Sequence, residues 1–196
     1  MLIFRLINAL FFVAVFFSCT PTKKLAKVNN ELVESLKEDF SFPEDWMGYW
    51  KGDLEIFRKN KLVRTLPMAL DHALTDTSGY YEWAIIYGED TIAGRRDYYL
   101  KTINAEDGHY QTDERNSIFL DSYLYGNRLI AYYDVASTII QSSYTRTGDE
   151  LLFEILGMDT MPISTTGDQI VDGDTIPRVR SYPVKTMQKA ILKKVR

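Results

Sequence analysis

The chain predicts a mainly β protein whose antiparallel strands follow one another as a meander. From Asp45 to about Gly157, hydrophobic and polar residues alternate with a period of two, and the segments are rich in Tyr, Ile, Val, Trp and Thr. Turn residues separate these segments at short, regular intervals, and no helix-length pattern interrupts them. Such a succession is typical of a β-sandwich or an up-and-down barrel.

The turn signals place the individual strands. Pairs such as Lys59-Asn60 and Gly126-Asn127 contain residues that suit tight turns. The expected strands span 49–58, 62–74, 79–87, 95–104, 108–115, 117–125, 128–136, 138–147 and 150–156. The polar segment 157–178 predicts a long loop with at most one short strand. The segment 180–195 fits a strand or a helix, and we favour a closing strand because a barrel must hide its edges.

A short helix is expected before the strands, over residues 25–40. Its apolar residues recur every three or four positions, namely Leu25, Val28, Leu32, Leu36 and Phe40. Pro43 ends this pattern.

Composition excludes several classes of protein. The 196 residues carry a formal net charge of −4, which argues against a nucleic-acid partner. A single cysteine, Cys19, excludes an intramolecular disulfide, a Cys-rich zinc site and an iron–sulfur cluster. Two histidines, His72 and His109, offer little for a metal centre. We therefore expect no cofactor.

The first residues are typical of an export signal. Arg5 precedes a run from Leu6 to Phe17 that is apolar except for Asn8 and is shorter than the roughly 20 residues of a transmembrane helix. The run ends in Phe16-Phe17-Ser18-Cys19, which resembles the lipobox of bacterial lipoproteins. The resemblance implies that Cys19 is lipidated and becomes the new N-terminus. The alternative is an ordinary signal peptide with a buried Cys19.

These features define three parts of the chain. Residues 1–18 form the lipoprotein signal peptide, 19–40 a lipid-anchored tether with the short helix, and 41–196 the β-barrel domain. No acidic residue follows Cys19 directly. By resemblance to bacterial lipoproteins, this implies a lipid-anchored protein of the cell envelope, at the outer membrane and facing the periplasm.

Both faces of several strands carry large side chains. Leu66, Met68, Leu70 and His72 share the better core face of the second strand, whereas the third strand has aromatic residues on both faces. Tyrosines could coat the outside of the sheet through cross-strand pairs. Alternatively, one face forms a solid core at one end of the barrel and lines a cavity at the other.

The most polar strand candidate runs from His109 to Asn116. Tyr110, Thr112, Glu114 and Asn116 share one face of it. If that face points inward, Glu114 is a buried carboxylate that needs a partner, and Arg96 on a neighbouring strand is a candidate. The pair would then anchor a ligand head group. The alternative is a strand solvated on both faces.

Gly48-Tyr49-Trp50 at the start of the first strand, followed by a meander, resembles the lipocalin/calycin superfamily. The resemblance implies an up-and-down barrel whose floor Trp50 closes, packed against a basic residue from a late strand. Arg146 is the candidate partner, with Arg178 and Arg180 behind it. Segments 49–54, 82–88 and 108–118 also resemble uncharacterised lipoproteins of the Bacteroidetes type, which implies a lipocalin-like fold but no established activity.

The predicted function is the binding of a small amphipathic or apolar ligand inside the barrel. The expected site residues are Trp83, Arg96, Tyr98, Tyr110, Glu114 and His72, with Gly48 and Trp50 as the floor motif. By resemblance, His72 could ligate haem; the alternative is an ordinary interior histidine.

Two further hypotheses concern other classes of protein. One is an interaction module whose tyrosine-rich surface meets a protein partner in the envelope. The other is an envelope hydrolase, although the chain has neither a nucleophile elbow nor a glycine-rich phosphate loop. Asp113 and Glu114 are adjacent on one strand, so they face opposite ways and cannot act as a pair. No catalytic residue is assigned.

Overall fold

The computed structural model describes residues 40–195, which form one short 3₁₀ helix and fifteen β-strands. The 3₁₀ helix spans Glu44–Trp46. The strands are β1 Gly48–Arg58, β2 Lys61–Leu74, β3 Tyr80–Tyr87, β4 Arg95–Arg96, β5 Tyr99–Asn104, β6 His109–Asp113, β7 Phe119–Tyr125, β8 Arg128–Val135, β9 Thr138–Thr147, β10 Glu150–Asp159, β11 Ser164–Thr166, β12 Gln169–Val171, β13 Asp174–Ile176, β14 Val179–Ser181 and β15 Val184–Lys194. Within this part of the chain, no helix has the length and apolar character of a membrane crossing.

Ten of the strands close into an antiparallel barrel. Around the barrel the order is β1, β2, β3, β5, β6, β7, β8, β9, β10, β15 and again β1. Most neighbours in this order follow one another in the chain through short turns, as antiparallel pairing permits, whereas β10 and β15 are neighbours although residues 160–183 lie between them. Closure comes from β15, whose Lys194 lies opposite Trp50 of β1. The predicted mainly β barrel and its closing C-terminal strand are therefore confirmed.

The structure differs from the expected strands in two places. The strand expected over 95–104 is broken at residues 97–98, so that β4 and β5 both pair with β3. The segment expected to be a loop over 157–178 begins with the end of β10. It continues as an exposed arm of two short ladders, in which β11 pairs with β14 and β12 with β13.

Three sequence predictions fall outside the described residues. They are the signal peptide over 1–18, the lipidation of Cys19, and the helix over 25–40 apart from Phe40 at its end.

One end of the barrel is covered by residues 40–47, here called the floor segment. Its Phe42 ring lies edge-on against Trp46 and Tyr110, with ring centroids 4.8 and 4.7 Å away. Trp46 and Trp50 are fully buried, and the Trp50 indole Nε1 donates to the Trp46 carbonyl at 3.0 Å. This floor end also holds the turns after β2, β5, β7 and β9; the opposite end is called the mouth end.

Arg146 of β9 ties the floor segment to the barrel. It is 7% exposed. Its guanidinium donates to the carbonyl of Asp45, and its Nε to that of Gly148 at 3.1 Å. The guanidinium carbon lies 4.0 Å from the Phe40 ring centroid and 5.5 Å from that of Trp50. The charge is thus held between carbonyl oxygens and aromatic faces, which favour a cation.

Replacing this guanidinium should destabilise the fold. Arg146→Ala should lower the free energy of unfolding by about 2–4 kcal/mol, because it leaves buried carbonyls without a hydrogen-bond donor and empties the space between two rings. Arg178→Ala is the control: Arg178 pairs with Asp168 on the exposed arm, and the change should cost less than about 1 kcal/mol. Urea denaturation of the full chain measures both. Equal losses would contradict the assigned role of Arg146.

Candidate functional site

The barrel interior is packed at the floor end and contains a cavity towards the mouth end. The packed part includes Trp50, Leu70, Trp83, Leu100 and Leu151, all at most 1% exposed. Beyond this layer lies a partly enclosed cavity of about 110 Å³. Of the two alternatives for the large side chains on both strand faces, the barrel thus shows the one with a solid core at one end and a lined cavity at the other.

The cavity walls combine aromatic rings with a few polar groups. Four tyrosines line it: Tyr87, Tyr98, Tyr133 and Tyr144. The smaller polar side chains are those of Thr112, Ser122 and Ser142, and Glu114 supplies the only ionisable carboxylate among the lining residues. The remaining wall is apolar: Ile85, Leu120, Leu129, Ala131, Phe153 and Ile155.

A row of small residues creates this space. The register places Ser122 of β7 opposite Ala131 of β8, and Ala131 opposite Ser142 of β9. The next inward row towards the floor consists of large residues, in which Leu129 faces Leu124 and Tyr144, and Tyr144 faces Phe153. Because interiors are otherwise close-packed, three consecutive small side chains leave a gap at their level. The cavity therefore results from the small side chains at this level of β7, β8 and β9.

The lining tyrosines stay protonated at physiological pH. Burial raises the pKa of Tyr87, Tyr98, Tyr133 and Tyr144, and the Glu114 charge raises those of Tyr98 and Tyr133 further. The shift is largest for the deepest rings because a phenolate loses most hydration there. All four hydroxyls are thus neutral groups that can donate or accept a hydrogen bond.

Glu114 lies where β6 ends. Within residues 40–195 its carboxylate has one hydrogen-bond partner, the side-chain amide of Asn116 at 3.3 Å, and no cationic partner. Arg96, the partner expected from the sequence, donates instead to the carbonyls of Ala93 and Arg95, at 3.1 and 2.9 Å. Arg96 does not line the cavity, although its charge lowers the pKa of the nearby Tyr98 against the effect of burial.

The structure therefore divides the expected site residues between two levels. Tyr98 and Glu114 line the cavity. Trp83, His72 and Tyr110 face inward but are packed nearer the floor, where the Tyr110 hydroxyl points towards the Phe42 carbonyl at 3.5 Å. The floor motif begins at Gly48, which lies opposite His72 in the register, and continues with Trp50.

Sequence reasoning missed three of the cavity tyrosines. Tyr87, Tyr133 and Tyr144 line the space but were not selected as site residues. The signal that could have found two of them is the inward alternation of Leu129, Ala131 and Tyr133 in β8, beside Tyr144 in β9.

His72 is enclosed below the cavity. It is 2% exposed, and its ring stacks on Trp83 with centroids 3.5 Å apart. Neither ring nitrogen has a hydrogen-bond partner of normal geometry within residues 40–195. Burial lowers the pKa of His72 to about 3, although the Trp46 backbone raises it by a smaller amount. A porphyrin could not reach this ring without displacing Trp83, so the site does not fit haem. The described residues also contain no cluster of three or more potential metal ligands.

The buried imidazole should make stability depend on pH. The unfolded chain binds a proton at His72 below pH 6.5, whereas the folded chain does not until about pH 3, so stability falls as the pH is lowered through this window. Between pH 7 and 4.5 the loss should be about 2–3 kcal/mol from this residue alone.

Three proteins separate this effect from the titration of carboxylates. Wild type and His109→Gln, which changes the half-buried histidine beside Asp121, should both show the loss that is due to His72 between pH 7 and 4.5. His72→Leu should lose about 2–3 kcal/mol less over the same interval. Urea denaturation at each pH gives the three slopes. Identical slopes would show that His72 is protonated in the folded chain.

Comparison with known proteins adds information on the fold. No protein-family model and no curated protein matches the chain. Among solved structures, it is similar to one described as a protein of unknown function from the DUF3598 family of Nostoc punctiforme PCC 73102. The TM-score is 0.52 at 11% sequence identity, and the match covers 78% of this chain and 48% of that one. The chain thus spans about half the length of its structural neighbour, and the likeness concerns the fold alone.

Proposed function

We propose that this chain is a lipid-anchored envelope protein whose calycin-like barrel binds a small amphipathic ligand in the cavity at its mouth end. The observation that carries the proposal is the cavity itself. Its wall joins aromatic and aliphatic surface to a few fixed polar groups, which is the composition of small-molecule sites.

The cavity size restricts what the ligand can insert. A volume of about 110 Å³ is below the roughly 300–1,000 Å³ of pockets that enclose a drug-sized molecule. It is close to the roughly 150 Å³ of an engineered cavity that holds benzene. The inserted part is therefore about the size of one small ring, and any longer portion of the ligand extends through the mouth.

The calycin-like assignment is supported by the floor. Trp50 near the start of β1 is fully buried, and Arg146 from the late strand β9 lies over its ring. This is the partnership that the resemblance implied for the floor of such barrels. The fold relationship to the DUF3598 structure is compatible with it, and the activity of that protein is unknown.

A second candidate function is an interaction module of an envelope assembly. Aromatic side chains are exposed on the outer face of β7 and β8, where Phe119, Tyr125 and Tyr132 are 51%, 70% and 65% exposed. The arm that leaves the barrel between β10 and β15 adds exposed Ile163 and Ile170. Exposed aromatic and aliphatic side chains of this kind favour a protein partner.

Filling the cavity tests the ligand proposal. Ala131→Leu puts three more carbon atoms into the gap formed by the small-residue row, whereas Ala105→Leu adds the same atoms to an exposed turn at the floor end. Native mass spectrometry of the full chain from its own host should detect a retained small molecule on the wild type and on Ala105→Leu. It should be absent from Ala131→Leu. Wild-type protein that carries nothing, or an equal load on all three, would refute the proposal.

Lipid anchoring is tested separately at the residue that carries it. Cys19→Ser should release the protein from the membrane fraction, because it removes the thiol to which the lipid would be attached. Ser18→Ala, which keeps a small residue before Cys19, should leave membrane association unchanged. Fractionation followed by immunoblotting measures both variants. Continued membrane association of Cys19→Ser would contradict lipidation at this position.

A further inference from the structure

The cavity wall has the chemistry of a cage for an organic cation. Tyr87, Tyr98, Tyr133 and Tyr144 border a single space of about 110 Å³ together with Phe153. The ring of Tyr144 packs against that of Phe153, with centroids 5.2 Å apart and a tilt of 53°. Aromatic faces carry a negative quadrupole, and several such faces around one volume attract ammonium groups.

Glu114 gives this cage a carboxylate that has no ion-pair partner among residues 40–195. Its carboxylate belongs to the cavity wall, and the described residues offer it only the neutral amide of Asn116. Arg96 is cationic and close enough to lower the pKa of Tyr87 and Tyr98 against the effect of burial, but it makes no ion pair with Glu114 and its guanidinium donates to two backbone carbonyls instead. A partly buried carboxylate of this kind is stabilised when a cation enters beside it.

We infer that the group inserted into the cavity is an ammonium, held by the tyrosine faces and by the carboxylate of Glu114. This inference rests on the proposed ligand-binding function and specifies its ligand class. A methylated ammonium fits best, because its methyl groups pack against both the rings and the aliphatic side chains of the wall and need no hydrogen-bond acceptor for each proton. An anionic head group would instead meet the charge of Glu114, and a neutral one would leave that charge uncompensated.

A pair of isosteric probes separates charge from shape. Choline and 3,3-dimethylbutan-1-ol have the same outline, but only choline is charged. Isothermal titration of the full chain, in a non-ionic detergent without ammonium groups, should show choline binding at least about tenfold more tightly than the alcohol, since both the carboxylate and the rings favour the cation.

Two carboxylate variants complete the test. Glu114→Gln keeps the side-chain shape but removes the charge, and it should lower the affinity for choline to that for the alcohol. Glu106→Gln is the control: it removes the same charge from an exposed turn at the floor end and should change neither affinity. Equal binding of both probes, unaffected by Glu114→Gln, would overturn the ammonium inference and leave the ligand-binding proposal intact. Absence of binding by either probe, together with a ligand-free protein from the host, would overturn both.

Discussion

The burial of one guanidinium, that of Arg146, determines how the rest of the barrel is built. The charge lies between the carbonyls of Asp45 and Gly148 and the rings of Phe40 and Trp50. These four partners come from three places in the chain: Phe40 and Asp45 from the floor segment, Gly148 from the turn after β9, and Trp50 from β1. By joining them, Arg146 closes one end of the barrel, and it does so without a disulfide, which this chain cannot form within itself.

A closed floor explains why the two ends of the barrel differ. Near the floor, the large rings of Phe42, Trp46 and Trp83 fill the interior and cover His72 completely. At the level of Ser122, Ala131 and Ser142 the inward side chains become small, so that the interior is no longer filled. Stability therefore resides mainly in one half of the barrel, and the other half is free to provide a lined cavity.

Sequence reasoning predicted which side of a strand each residue faces, but not its height in the barrel. Tyr110 of β6 and Glu114 directly after β6 both face the interior, yet Tyr110 packs in the floor and Glu114 lines the cavity. Alternation with a period of two is local, whereas height depends on the stagger of all ten strands around the barrel, which no single segment encodes. The arm over residues 160–183 escaped prediction for another reason: its short, exposed strands have no buried face to produce alternation.

A ligand should enter the cavity and not bind the exposed aromatic surface of β7 and β8. The most direct measurement is the intermolecular nuclear Overhauser effect between the methyl protons of tetramethylammonium and the ring protons of the assigned protein. We expect effects to Tyr98, Tyr133 and Tyr144 of the cavity and none to Tyr123 or Tyr125 on the outer face. Effects confined to the outer tyrosines would contradict binding in the cavity, because they would place the cation on the surface of the barrel.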